Sequence, residues 1–149
     1  MKLLLVCLLV GLPVPAFAQQ PVNRWADWAS YGTAAVNPTL AAWDARHSHC
    51  KLVRLGLSEL VGNGLTLALK HRVISARPCL GCVPDGFPSG HTMNSLVGFS
   101  RNWKVGLAFG LATAELRNQA NRHTPWQVLA GAGVAVAAEA SGYLIRCQE

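Results

Sequence analysis

Charge is scarce in this chain. Asp, Glu, Lys and Arg make up 13% of its 149 residues, and aromatic residues 7%. With 51% of its residues apolar, the chain can build one domain with a modest core, and it falls outside the disordered class. Repeats and low-complexity tracts are missing. So, almost everywhere, is the two-residue alternation of half-buried strands, whereas helical spacing recurs along the chain. There is no run of Lys and Arg, no zinc-finger spacing and no aromatic strand motif, so nucleic acid is not an expected partner. Acidic residues are the scarcest charge: seven against thirteen basic ones, for a formal net charge of +6. That balance suits phosphorylated molecules or acidic lipid surfaces.

What is present begins with "MKLLLVCLLVGLPVPAFA". A lysine, a short apolar run and a closing Ala-Phe-Ala have the layout of a secretory signal peptide cut before Gln19. Residues 1–18 are thus expected to be a leader and residues 19–149 one domain, periplasmic or secreted. The alternative is residence in the inner membrane with the site facing the periplasm. Cys50, Cys79, Cys82 and Cys147 remain after cleavage, and an even count in an exported chain favours disulfides. Cys79-Leu-Gly-Cys82 also fits a redox motif or half a metal site. The first wants a strand before it and a helix after it, and the second a further pair nearby, and neither is evident.

Helix signals then divide the chain. Asn23 caps a short helix through "RWADWASYGTAA", where the spacing of Trp25 and Trp28 marks them as core anchors. Asn37-Pro38 reads as a second start, a cap followed by proline. A longer apolar segment runs from about Lys51 to Lys70, with Gly56, Gly62 and Gly64 allowing close packing. A loop rich in Pro, Gly and Cys spans Ser75 to Ser89. A helix opens near His91, breaks near Arg101 and resumes to about Gln119. Pro125 starts the last one, long enough to cross a bilayer, although its Ala-rich make-up and Glu139 fit the inside of a bundle. The ~30 Å length of the Lys51–Lys70 helix separates Cys50 from Cys79 and Cys82. Helix direction therefore predicts Cys50–Cys147 and Cys79–Cys82.

Three stretches converge on one end of such a bundle: "KHRVISARP" with Lys70 and Arg77, "PSGH" with Ser89, Gly90 and His91, and "RNQANRHTPWQ" with Arg117, His123 and Gln127. Transferring a phosphoryl group needs positive charge on its oxygens, which Lys and forked Arg side chains supply. A helix start and a glycine let backbone N–H groups approach an anion. Two histidines can divide the chemistry, one attacking phosphorus and one protonating the leaving oxygen.

The pattern Lys-x6-Arg-Pro, Pro-Ser-Gly-His, Arg-x5-His resembles the type 2 phosphatidic acid phosphatase and vanadium haloperoxidase superfamily, over roughly Lys70 to Gly131. The resemblance implies an all-α fold, a compact bundle of about five to six helices. It implies hydrolysis of a phosphomonoester or lipid phosphate without metal or cofactor. Lys70, Arg77, Ser89, Gly90 and Arg117 would hold phosphate, His123 would be the nucleophile and His91 the acid. The third motif departs from the family in two places. Leu116 stands where the family has Ser, and Gln127 where it has the Asp that accepts the nucleophile's second N–H. The Gln127 amide oxygen is the expected substitute, with Glu115 as a weaker candidate. A slower enzyme, an inactive oxyanion binder or a helical membrane protein with a vestigial site are the competing outcomes.

Overall fold

Five side chains start the helices of this protein. Asn23, Ser48, Ser89, Asn102 and Thr124 each accept a backbone N–H from the first turn that follows. Such caps satisfy donors that have no intrahelical partner. The computed structural model describes residues 20–99 and 102–147, and the expected leader at 1–18 lies outside them. Among the described residues the chain is an all-helical bundle: α1 (Arg24–Ala45), α2 (His49–Arg72), α3 (Gly90–Leu96), α4 (Trp103–Gln119) and α5 (Pro125–Gly142).

α1 lies along α4, and α2 along α5, with the short α3 wedged against α1, α4 and α5. Both long pairs run antiparallel. Asp27 meets Arg117 and Thr33 meets Thr113, while Gly62 faces Ala138 and Ser58 faces Gly142. One end of the bundle therefore gathers the start of α1, the end of α2, the start of α3, the end of α4 and the start of α5.

The interior is built from small side chains. Ala26, Ala34, Ala41, Ala45, Ala135 and Ala138 are buried, with Met93 and Val97 the largest filled positions. Gly62 shows why: a Cβ there would lie 2.7 Å from Met93 Sδ. Gly56 and Gly64 face open space and play no such part.

Two expectations need correction. α1 does not restart at Asn37-Pro38 but runs through it. Asn37 is buried and donates to Val97 O at 2.7 Å, so its amide ties α1 to the end of α3 instead of capping. Packing of Ala34 and Ala41 on either side carries the helix past the bond that Pro38 cannot make. Trp25 and Trp28 are not core anchors; they are 71% and 75% exposed. The inward stripe of α1 is Ala26, Ser30, Ala34, Asn37, Ala41 and Ala45. Spacing identifies a face, and here the small residues take the inner one.

The break after α3 falls at Leu96, before Trp103 opens α4; Arg101 itself lies outside the described residues. The loop after α2 is tied back by bridges pairing Ser75 with Asp85 and Gln20 with Cys79. Cys50 bonds Cys147 across a separation of 97 residues, and Cys79 bonds Cys82 across three. Losing the long-range bridge (Cys50→Ser with Cys147→Ser) is expected to cost about 4.7 kcal/mol, and losing the short one roughly 2 kcal/mol, by loop entropy. Thermal unfolding of the two double variants checks the order.

Candidate active site

The loops and helix ends at that pole enclose a cavity of about 350 Å³. Lys70 reaches it from the last turn of α2, and Arg77 from the loop beyond. Gly90 and His91 open α3, Arg117 closes α4, and His123 stands just before α5. Six residues singled out by sequence thus line one space. Tyr31, Asn94 and Arg122 line it too.

Two aspartates hold the four cations, three through their carboxylates and Lys70 through the Asp85 backbone carbonyl. Lys70 Nζ donates to Asp85 O at 2.5 Å, and Arg77 Nε donates to Asp85 Oδ1 at 2.8 Å. Arg117 Nη1 donates to Asp27 Oδ1 at 2.6 Å and to Ser30 Oγ at 3.1 Å. Arg122 Nη2 donates to Asp27 Oδ2 at 2.7 Å. Arg117 is only 2% exposed, and its Nε has no hydrogen-bond partner. Four cations against two carboxylates leave the cavity electropositive, and a buried guanidinium N–H without a partner is costly until an acceptor arrives.

His123 is fixed by backbone. Its Nδ1 lies 2.8 Å from Gly86 O. A carbonyl oxygen can only accept, so Nδ1 carries the proton and Nε2 keeps its lone pair. Gln127 does not take this role. Its Oε1 accepts from Thr124 N, and its Nε2 donates to Ser75 Oγ and Ala76 O, both at 2.8 Å. It closes a capping box on α5 and ties down the loop, so it is a positioning residue at one remove. Gly86 rests against that amide, where a Cβ would collide with it. Glu115 bonds Gln119 on the exposed face of α4, away from His123.

Ser89 also differs from expectation. It is fully buried, and its hydroxyl accepts from Thr92 N and Thr92 Oγ1, so it builds the α3 cap and does not line the cavity. Its backbone N–H donates to Gln127 O. His91 packs edge-on against Tyr31, with ring centroids 4.4 Å apart.

Burial, then the charges of Arg117 and other nearby cations, push both imidazoles down. His91 falls to about 4, partly offset by Asp27, and His123 to about 2, although the Gly86 bond opposes this. Both are neutral at pH 7. Asp85 shows the reverse: burial raises its carboxyl, but the bond and charge of Arg77 and the charge of Lys70 outweigh this and hold it low.

Asp27, Asp85, Arg122 and Tyr31 were not anticipated. Asp27 lies 90 residues from Arg117, so no local pattern connects them. Arg122 adjoins His123 and was readable as a further cation; the spacing motif hid it as a filler position.

Histidines whose folded pKa lies below the unfolded value of about 6.5 contribute stability above that pH and lose it on acidification. Melting temperature should therefore fall from pH 6.5 toward 4, less so with inorganic phosphate present or in His91→Asn. Gln127→Asp should lower stability by roughly 2 kcal/mol, since the shorter side chain forfeits its bonds to the loop. It should leave the Nδ1–H tautomer of His123 unchanged, as read by nitrogen NMR of the ring.

Compared with models of protein families, with curated proteins and with solved structures, the chain matches none of them.

Proposed function

We propose that this protein is a phosphomonoesterase that works through a phosphohistidine at His123. One observation carries the reading: four cations and two neutral imidazoles line a single cavity, with the tautomer of His123 set so that Nε2 is free to attack. The sequence resemblance to the type 2 phosphatidic acid phosphatases points the same way.

The substrate's phosphate sits among Lys70, Arg77, Arg117 and Arg122, and the unpartnered Arg117 Nε gains an acceptor. His123 Nε2 bonds to phosphorus as the P–O bond to the leaving group breaks, and His91 gives that oxygen a proton. Water then attacks phosphorus while His91 takes its proton. The P–N bond breaks, and inorganic phosphate leaves. The Gly86 carbonyl stands where a carboxylate would better stabilise the cationic phosphoimidazole, so formation of that intermediate limits the rate.

His91 is neutral at pH 7 and must gain a proton to act as acid. The dianionic substrate cancels the cations that depress it, and acidification supplies the proton. Below about pH 6, substrate dianion declines. The profile of kcat/KM should therefore peak on the acid side, between roughly 4 and 6. An optimum above neutrality overturns this assignment of His91.

The direct test is turnover of p-nitrophenyl phosphate and phosphatidic acid by the full chain, compared with His123→Ala. Activity should fall by at least 10³-fold. Equal rates remove the enzyme. A second reading follows from the missing carboxylate behind His123: the cavity holds an oxyanion without turning it over. Phosphate would then raise the melting temperature while neither ester is hydrolysed.

A further inference from the structure

The distribution of apolar residues is inverted. Among the described residues no Leu, Ile, Phe, Trp or Tyr is buried, whereas all five tryptophans, Trp25, Trp28, Trp43, Trp103 and Trp126, are at least half exposed. In a bundle that folds in water, large apolar side chains fill the core. Between helices in lipid the interfaces instead use Gly, Ala, Ser and Thr, because close packing rather than water exclusion joins them. The interior of this bundle is of the second kind: Ser58, Gly62 and Thr66 on α2, Gly106, Gly110 and Thr113 on α4, Gly131, Ala135 and Ala138 on α5.

The outer surface agrees with this. Exposed aromatics sit at both ends: Trp25, Trp28 and Trp126 near the cavity, and Trp43, Trp103 and Tyr143 at the far pole. Along α1, Trp25 and Trp43 are ~27 Å apart, and along α5, Trp126 and Tyr143 are ~25 Å apart, at 1.5 Å per residue. That is close to the ~30 Å hydrocarbon thickness of a bilayer, with Trp and Tyr at the two water boundaries. Between these ends the outward faces of α1, α4 and α5 are mainly apolar, presenting side chains such as Leu40, Leu107, Leu111, Leu129 and Val136; the exposed acid Glu115, toward the cavity end of α4, accepts from Gln119. On α2, Glu59 is a further charge, and Asn63 donates to its carboxylate at 3.2 Å. α2 is itself long and apolar enough to cross a membrane, with 22% of its apolar window buried in the bundle.

We infer that acyl chains of a bilayer cover this belt: the bundle spans the membrane, and the cavity opens at the headgroup level of one face. The inference uses the packing and not the chemistry of the cavity, so it stands whether or not the site is catalytic. Both disulfides lie beyond the belt, Cys79–Cys82 at the cavity end and Cys50–Cys147 at the other, so their bonded state calls for a non-reducing medium at each face.

The experiment reconstitutes the full chain into phosphatidylcholine vesicles with lipids brominated along the acyl chain, and reads tryptophan quenching. Residues 1–18 could tether the chain without burying the belt, so association alone decides nothing, and quenching together with two substitutions does. Leu111→Arg and Val136→Arg should each shift the insertion equilibrium against the bilayer by roughly 100-fold, whereas Gln119→Arg, beyond the belt, should not. Strong quenching with both losses supports the inference. Absent quenching, with both arginines tolerated, overturns it. So does a stable dimer in detergent-free buffer whose tryptophans are shielded by the second copy.

Discussion

A single carboxylate connects the ends of the chain's polar chemistry. Asp27, in the first turn of α1, receives Arg117 from α4 and Arg122 from the turn before α5. Without it, Arg117 would be a buried cation with only the Ser30 hydroxyl beside it, and that loss is far more destabilising than losing a surface pair. With it, α1 is locked antiparallel to α4, and two guanidinium groups are held beside the imidazoles. Asp85 does the same on the opposite wall, drawing Lys70 and Arg77 together through its backbone and side chain. The cavity is thus preorganised by two acids and remains short of negative charge. An incoming tetrahedral dianion would supply that charge.

How the His123 ring is oriented follows from the loop. A carboxylate behind an imidazole fixes the tautomer and also stabilises positive charge on the ring. The Gly86 carbonyl does the first fully and the second only through a dipole. Its position depends on Gln127, which holds Ser75 and Ala76 and packs under Gly86, and on the Gly86 N–H bond to Ser75 O at 2.9 Å. Gln127 is therefore tied to the backbone group that sets the His123 tautomer. An Asp at position 127 would remove the support of the carbonyl that now orients His123.

Much of the architecture was legible in the sequence. The cap at Asn23, the helix start at Pro125, the loop from Ser75 to Ser89 and the direction of α2 were local signals, and they placed the cysteines in the pairs observed. So was the gathering of Lys70, Arg77, His91, Arg117 and His123, because each sits at a helix end or in the loop beside one and antiparallel helices bring alternate ends together. What failed was any inference about sides. Trp25 and Trp28 have the right spacing for a core, and Asn37-Pro38 the right residues for a start, yet their environment is decided by residues 60 or more positions away. Asp27 was invisible for the same reason, its partners lying 90 and 95 residues away, whereas Asp85 meets Arg77 only 8 residues back, through a loop whose return path has no periodicity to read.

The inverted packing and the polar cavity have a common cause. Small residues let the helices approach until little space is left for large side chains, which then project outward. At the cavity end, the same close approach brings helix termini and their charged side chains together instead of apolar bulk. A bundle with a Leu-rich interior would hold its helices farther apart, and the reach from Asp27 to both Arg117 and Arg122 would be lost. Ala26 and Ser30, on either side of Asp27, are both fully buried, and Ser30 Oγ also bonds Arg117. The narrow interior is therefore a condition for the site, and outward-facing Trp and Leu are its consequence.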